Sequence, residues 1–256
     1  MKVLEDVGRG ATGFFEYAGG LAGLVGESAG VMLRLRIRIA ETFAQAYFLG
    51  VQSTVIVLLT SLFTGMVVSF ESAQNAVNYG VSNLVGGAVA FTVSRELGPM
   101  LSAVVVAGRA GAAIAAELGS MVVTEQIEAL RALGLSPARM LVVPRLIALV
   151  VMLPALTILA DIIAIVGGGT LAHNTAGIPY DTFIESVRTY SHFEDFTKGL
   201  IKAAVFAAII VLVGCYQGLS TRGGAAGVGR ATTGAVVIAI IGIFASNFVM
   251  SLLLFR

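Results

Sequence analysis

Residues 47–70 read YFLGVQSTVIVLLTSLFTGMVVSF, a run of 24 residues without a charged side chain. A helix needs about 20 predominantly apolar residues to cross the hydrocarbon core of a bilayer. A transmembrane β-strand would instead show about 10 residues of alternating polarity, a pattern that is absent from this run. The run therefore predicts a transmembrane helix.

The composition of the whole chain agrees with this interpretation. Of its 256 residues, 57% are hydrophobic and only 12% are charged, whereas soluble domains carry roughly 25% charged residues. This balance argues against a soluble enzyme or a disordered chain. The net charge of +1 provides no basic field for nucleic acid. The single cysteine, Cys215, excludes a disulfide framework and a Cys-based metal site.

Four more apolar blocks follow the first one. We predict an all-α polytopic membrane protein with about five transmembrane helices in a domain over residues 47–256. The expected spans are residues 47–70, 80–108, 140–171, 199–219 and 232–255. A sixth span is possible if residues 80–108 form a hairpin, although residues 80–94 alone are short for a crossing.

Residues 1–46 are expected to form an N-terminal interfacial helix that lies on the membrane. A glycine-rich stretch precedes Arg34, Arg36 and Arg38, which stand among Leu and Ile. Arginines beside aliphatic residues are typical of segments at the membrane surface. The alternative is a disordered lead-in with a basic anchor.

The basic residues predict the orientation, because cytoplasmic loops carry an excess of Lys and Arg. With the N-terminus inside, eleven basic residues are cytoplasmic, four are outside, and Arg95 lies within the membrane. The cytoplasmic set is Lys2, Arg9, Arg34, Arg36, Arg38, Arg109, Arg131, Arg139, Arg145, Arg222 and Arg230, and the outer set is Arg188, Lys198, Lys202 and Arg256. The sequence therefore predicts a cytoplasmic N-terminus and an external C-terminus.

Motifs for catalysis are missing from the sequence. It contains no G-x-x-x-x-G-K-[ST] phosphate-binding loop, no H-E-x-x-H and no G-x-S-x-G. The glycines of residues 223–229 follow an apolar span rather than a strand, which favours a flexible turn over a nucleotide loop. We therefore expect no catalytic residue and no metal site.

Arg95 and Glu96 are the sharpest local feature, because they interrupt an apolar stretch. An ionisable residue at membrane depth persists only when it is paired or faces a cavity. Gly98-Pro99 predicts a break in the helix, and carbonyls freed by such a break normally line a cavity. Two interpretations stay open. Either Arg95 receives an anionic head group and Glu96 holds it in place, or the charges form a structural ion pair between helices.

Two further charges fall in apolar surroundings. Asp161 is compatible with a proton relay, although a hydrogen bond that packs two helices is the more common arrangement. Arg145 is expected at the cytoplasmic interface with its guanidinium in water.

A polar connection is expected over residues 109–138, with a short amphipathic helix inside it. Thr124 is the predicted N-cap, and Glu125 and Glu128 fall in the first turn, where the helix dipole favours acidic residues. Gly134 and Pro137 would end the helix. Such a helix could insert into a partner's groove or lie on its own bundle.

Several motifs occur in a specific order and resemble one family. The sequence resembles the MlaE (YrbE) permeases of Mla- and Mce-type ABC lipid transporters, a family that includes the plastid lipid-import permease. The resemblance covers most of the chain from about residue 40. Its motifs are RELGP (95–99), GRAG (108–111), AELG (116–119), TEQIEAL (124–130), VVPR (142–145) and GVGRATTGAVV (227–237).

This resemblance implies a permease subunit, not an enzyme, that moves phospholipid between the bacterial inner membrane and a ring of MCE-domain proteins on its outer face. The implied assembly contains a permease homodimer, two ATPase subunits and a hexameric MCE ring. ATP and Mg²⁺ would bind the ATPase, and this chain would hold no cofactor. An ion-coupled secondary transporter using Arg95, Glu96 and Asp161, or a non-transporting scaffold, are the alternatives. We see no inverted repeat, which argues against the first of these.

The resemblance also assigns residues to roles. A cytoplasmic coupling helix over residues 124–133 would contact the ATPase. The lipid cavity would lie near the first span and the RELGP motif. Where family members often carry an acidic residue in the last span, this chain has Asn247. The implied ATPase-coupling residues are Glu125, Gln126, Glu128 and Arg131, and the implied substrate-binding residues are Val68, Phe70, Arg95 and Glu96.

Overall fold

The computed structural model describes residues 2–33 and 38–255, and within these ranges the protein consists of eight helices and no strand. The predicted all-α fold is confirmed. The helices are α1 (Lys2–Leu33), α2 (Ile39–Asn78), α3 (Ser82–Val123), α4 (Gln126–Ala132), α5 (Ala138–Ala176), α6 (Tyr180–Tyr190), α7 (Phe193–Leu219) and α8 (Gly224–Leu254).

Five of these helices, α2, α3, α5, α7 and α8, are long and apolar enough to cross a membrane. The predicted number of spans is therefore confirmed. Residues 82–123 form a single helical run, so α3 is not a hairpin. It continues through Arg109 and Glu117, which the sequence had placed in a polar connection. Both side chains find polar partners on neighbouring helices, so their polarity does not end the span.

The first and third spans pack closely through small residues. A Cβ atom at Gly65 of α2 would collide with the backbone of Ala164 on α5. One turn further along, the hydroxyl of Ser69 donates a hydrogen bond of 2.7 Å to the carbonyl of Gly168. Without a side chain at these glycines, the two backbones can approach closely, as is common between membrane helices.

α7 lies at the centre of the bundle and packs against α3, α5 and α8. In the most apolar 18-residue stretch of α7, 56% of the residues are buried, whereas only 11% are buried in the most apolar 18-residue stretch of α8. The last span therefore leaves most of its apolar surface uncovered by this chain. The main buried core includes Val106, Ile114, Leu149, Leu153, Phe206 and Ile210.

The two ends of the bundle carry different short helices. α4 connects the end of α3 to the start of α5, and we call this side the α4 end. α6 connects α5 to α7 at the opposite side, the α6 end. The expected spans left residues 172–198 without an assigned helix. Phe183 of α6 is buried, and its Ser186 hydroxyl accepts a 2.9 Å hydrogen bond from the Gly87 amide of α3.

α1 lies against the α4 end and is not among the helices apolar enough to span. Tyr17 packs edge-on against Tyr216 of α7, with ring centroids 4.7 Å apart. The Ser136 hydroxyl donates a 2.6 Å hydrogen bond to the Glu27 carboxylate. Of the predicted basic anchor, Arg38 pairs with Glu41, whereas Arg34 and Arg36 lie outside the described residues.

Candidate functional site

α3 does not break at Gly98-Pro99, contrary to the prediction. It forms a π-helical turn over Val93–Leu97 and then continues as an α-helix. Proline has no amide hydrogen, so Pro99 cannot donate to the carbonyl of Arg95 one turn earlier. The Lys202 ammonium of α7 donates to that carbonyl instead, at 3.0 Å. The freed backbone oxygen is thus bonded inside the bundle, and the helix remains continuous.

Glu96 joins three helices through its carboxylate. Its Oε1 accepts hydrogen bonds from Lys202 at 2.8 Å and from Ser251 at 2.9 Å, and its Oε2 accepts one from Asn247 at 2.9 Å. Lys202 also donates to Ser251 at 2.7 Å and is fully buried. We call Glu96, Lys202, Asn247 and Ser251 the Glu96 cluster. Charge-assisted hydrogen bonds of this kind are stronger than neutral ones and hold α3, α7 and α8 together.

Arg95 has different partners from its neighbour. Its guanidinium carbon lies 3.7 Å from the ring centroid of Phe255 and 4.4 Å from that of Phe91. The nearest carboxylate oxygen, on Asp195, is 3.7 Å from Nε, and the Arg95 side chain remains 21% exposed. Arg95 and Glu96 are therefore not paired with each other. Glu96 lies in a hydrogen-bonded cluster, whereas Arg95 lies against two aromatic rings and keeps 21% of its side chain exposed.

Val68 and Phe70, the other two predicted cavity residues, lie on α2. Val68 packs against a second group of buried residues that includes Val89 and Val93. Phe70 is 39% exposed. Neither residue forms a hydrogen bond, ion pair or ring contact with Arg95 or Glu96 among the contacts of the described residues.

Sequence reasoning misplaced Lys202, which it counted among the residues outside the membrane. The lysine is fully buried within the span α7. Residues 199–219 contain no other charged side chain, and an isolated charge in such a run is the signal that indicates a bonded position. Asn247 donates a hydrogen bond to Glu96 through its side-chain amide and needs no charge to do so.

Arg145 is also buried, contrary to the prediction that its guanidinium would be in water. It is 2% exposed, and its Nη2 lies 2.7 Å from the carboxylate of Glu117 on α3. Its Nη1 donates to the carbonyl of Leu141 at 2.7 Å. A carboxylate and a backbone carbonyl thus take the place of water at the two terminal nitrogens of the guanidinium.

Arg109 of α3 forms hydrogen bonds to residues near the start of the first span, α2. It donates to the Phe48 carbonyl and the Ser53 hydroxyl, both at 2.9 Å, and to the Gln52 side chain at 2.6 Å. Both segments are locally irregular, with π-helical turns at Ala46–Gly50 and Ala107–Gly111. The guanidinium satisfies polar groups where the regular helical hydrogen bonding changes.

α4 presents the predicted coupling residues at the surface. Glu125, Gln126, Glu128 and Arg131 are all exposed, while Ile127 is 3% exposed and holds α4 against the bundle. The N-cap prediction is wrong, because the Thr124 hydroxyl donates back to Ser120 at 2.9 Å and so ends α3. Glu125 is the N-cap residue, with a left-handed φ of 59°.

The polar groups of the candidate site are the partly exposed Arg95 side chain and the hydrogen-bonded Glu96 cluster. The coupling residues of α4 form a separate, exposed surface. Within residues 2–33 and 38–255, no group of three His, Cys, Asp or Glu side chains could hold a metal ion.

Comparisons with known proteins give a consistent result. A family model described as Permease MlaE matches residues 42–253. A probable ABC transporter permease of Synechocystis is 42% identical over 225 residues, which cover 88% of this chain and 86% of the relative. A probable ABC transporter permease of Rickettsia felis is 34% identical over 256 residues, covering 100% and 99% of the two chains. The Arabidopsis chloroplast protein TRIGALACTOSYLDIACYLGLYCEROL 1 is 38% identical over 225 residues, 88% of this chain and 64% of that protein.

Proposed function

Because the chain belongs to the MlaE permease family and is an ABC transporter permease, we propose that it moves phospholipid between the inner membrane and a ring of MCE-domain proteins. A separate ATPase, which binds ATP and Mg²⁺, drives the movement. The single observation that carries the proposal is Arg95, a partly exposed arginine in a membrane-spanning helix whose nearest ionic partner, Asp195, is 3.7 Å from its Nε.

Arg95 is the proposed contact for the lipid head group. A guanidinium presents several N–H donors that match phosphate oxygens. Asp195 is 3.7 Å from its Nε, and the side chain is 21% exposed, so a phosphate can approach without displacing a tight ion pair. Phe91, which is 42% exposed beside it, offers apolar surface for the lipid. A chloroplast relative named after a galactolipid supports a lipid substrate.

Glu96 is proposed to hold this site in place through its hydrogen bonds, without contacting the lipid. Its carboxylate bonds Lys202, Asn247 and Ser251, so it has little capacity left for a substrate. The Glu96 cluster fixes α3 against α7 and α8 and thereby fixes the direction of Arg95. Val68 and Phe70 of α2 are proposed as apolar contacts for acyl chains, with the exposed face of Phe70 the more accessible of the two.

A second copy of the chain is proposed to complete the cavity. α8 leaves apolar side chains exposed along its length, among them Ile241, Phe244 and Phe248. A single chain offers Arg95 only an open surface, whereas two chains that face each other would enclose a lipid between them. The MCE ring, of six subunits by the family resemblance, is proposed to sit at the α6 end.

α4 is proposed as the contact with the ATPase. Its exposed residues carry both signs of charge, and Leu133 beside them is 75% exposed. A short helix with a charged face and one projecting leucine can enter a groove on a partner.

The α4 end is proposed to face the cytoplasm, with the N-terminus. Arg109, Arg139, Arg145 and Arg230 lie within the spanning helices rather than in cytoplasmic loops, and Lys198 and Lys202 lie within α7 rather than outside. Taking four residues from the eleven and two from the four leaves seven basic residues against two. This excess still supports a cytoplasmic N-terminus by the positive-inside rule.

Two purifications of the complex test the proposal. In the first, Glu128→Arg on α4 should lower the amount of ATPase that copurifies with the tagged permease. The matched control is Glu185→Arg on α6, an exposed glutamate at the opposite end, which should leave the ATPase ratio unchanged. If the wild-type chain brings down no ATPase, the ATP-driven mechanism is wrong, and a secondary transporter or a scaffold becomes the better explanation.

The second purification measures lipid. Arg95→Ala should reduce the phospholipid retained by the complex, as measured by mass spectrometry, while the subunit ratio stays normal. Arg188→Ala on the exposed face of α6 is the control for loss of one arginine. Equal loss of lipid and of assembled complex in Arg95→Ala would instead assign Arg95 a structural role.

A further inference from the structure

Asp161 is a buried carboxyl group that the proposed transport mechanism does not use. It lies in the span α5 and is 2% exposed. Its Oδ1 atom is buried without a hydrogen-bond partner. The same oxygen lies against Gly98 of α3, so closely that a Cβ atom there would collide with it. The Ser102 hydroxyl, one turn further along α3, is also buried and unpartnered.

The charged groups around Asp161 are either bonded elsewhere or distant. On α3, Arg95 and Glu96 make their polar contacts with α7 and α8, and Lys202 of α7 is bonded to Glu96. α2 has no charged residue between Glu41 and Glu71. α6 packs only near the end of α5, and its Asp181, Glu185 and Arg188 are exposed.

α5 itself also provides no partner. Its nearest ionisable residues are Arg145 and His173, about 24 and 18 Å away along the helix axis at 1.5 Å per residue. Arg145 is already bonded to Glu117. Within the described ranges, no ion pair reaches the Asp161 carboxyl, and the hydrogen-bonded surroundings that an ionised carboxylate requires are missing.

The protonation state follows from this environment. An ionised carboxylate without a partner in an apolar interior is destabilised by several kcal/mol, and an acidic residue at the centre of a membrane helix by about 2.5–3.5 kcal/mol on insertion scales. A neutral carboxyl group avoids the charge penalty and leaves only the smaller cost of a buried polar group. The packed arrangement of Asp161 against Gly98 therefore favours the protonated acid.

We propose that Asp161 is a proton-binding site in the membrane core, and that a bound proton stabilises the packing of α3 against α5. The linkage is reciprocal: if protonation favours the Gly98–Asp161 contact, that contact strengthens proton binding. Arg95 belongs to the turn of α3, residues 93–97, that directly precedes Gly98, the residue against which Asp161 packs. Proton binding at Asp161 thus acts on the segment that carries the proposed head-group contact.

Infrared spectroscopy of the full-length chain in lipid nanodiscs tests the protonation state directly. The wild-type minus Asp161→Asn difference spectrum should contain the C=O stretch of one protonated carboxyl per chain at neutral pH, and this band should shift in D₂O. The control is Asp181→Asn on the exposed face of α6, for which the difference spectrum should show the bands of an ionised carboxylate. Carboxylate bands in the Asp161→Asn difference would overturn the proposal.

Thermal stability provides a second measurement that does not depend on transport. The folded state holds the proton and the unfolded state releases it near neutral pH, so stability should fall as the pH rises. Wild type should lose more thermal stability than Asp161→Asn between mildly acidic and mildly alkaline pH. If the asparagine variant fails to fold, Asp161→Ser serves as the neutral reference. If the unfolding temperatures of wild type and the neutral variant changed equally with pH, the proposed link between proton binding and stability would be wrong.

Discussion

The Lys202 ammonium donates a 3.0 Å hydrogen bond to the carbonyl oxygen of Arg95, to which Pro99 has no amide hydrogen to donate. One side chain from α7 therefore completes the backbone hydrogen bonding of α3. The same ammonium also bonds the Glu96 carboxylate. Lys202 thus compensates for both a proline and an acidic residue in the middle of a span.

Replacing Lys202 should destabilise the protein strongly. Lys202→Met leaves a carboxylate and a carbonyl without their donor, and removing one partner of a buried ion pair costs about 3–5 kcal/mol. We expect the lower end of that range, since the Glu96 side chain is 37% exposed. Thermal unfolding of the purified permease measures the change.

Two variants make that result specific. Adding Glu96→Gln to Lys202→Met removes the unpaired carboxylate and should restore part of the lost stability. Lys198→Met, one turn earlier on α7, breaks a pair with a glutamate that is 81% exposed and should have little effect. If Lys198→Met proved as damaging as Lys202→Met, the role assigned to Lys202 would be wrong.

The Arg145–Glu117 pair should respond asymmetrically to substitution. Glu117→Ala leaves a buried guanidinium without its carboxylate, whereas Arg145→Met leaves a glutamate that is 46% exposed and can be hydrated. We therefore expect Glu117→Ala to lower the unfolding temperature more than Arg145→Met does. If the two variants lowered the unfolding temperature equally, the packing of the arginine's aliphatic chain would contribute more to stability than its charge does.

Gly65→Ala should disrupt the contact between α2 and α5. The new methyl group would meet the backbone of Ala164, which cannot move aside as a flexible side chain could. Overpacking of this kind typically costs about 1–3 kcal/mol. Gly229→Ala in α8 is the matched control, because no atom lies within 4 Å of its added Cβ. Destabilisation by both variants would indicate a general effect of losing helical glycines rather than this contact.

Glu125→Gly should stabilise the turn before α4. Glu125 adopts a φ of 59°, a left-handed conformation that costs a residue with a Cβ about 1–2 kcal/mol. Glu128→Gly, inside α4, should instead destabilise by about 1 kcal/mol. Chemical unfolding of the two variants side by side would show opposite shifts, and shifts of the same sign would contradict the assigned backbone strain.

The transmembrane architecture was predictable because bilayer thickness requires long apolar runs, and five such runs stand in the sequence. The exact ends were not predictable. Arg109 and Glu117 look like loop residues until Gln52 and Arg145 are brought beside them by folding. α6 was not predicted because its sequence is mostly polar. Only a few of its apolar side chains, such as Phe183, pack against the bundle.

The candidate site was predictable only in part. Arg95 and Glu96 stand out as charges in an apolar run, yet their adjacency in sequence suggests a pair that the fold does not form. Apart from Phe91, their partners lie about 100 to 160 residues further along the chain. Only tertiary packing shows that Lys202 bonds to Glu96 and that Phe255 packs against Arg95. Thr124 was misread because its hydroxyl ends the preceding helix instead of starting the next one.

The close approach at Gly65 and the bond from Ser69 to Gly168 also have a mechanical meaning. Two helices joined at successive turns resist sliding and twisting past each other at that level of the bundle. Phe70 directly follows Ser69 on α2, so its position is tied to the second half of α5.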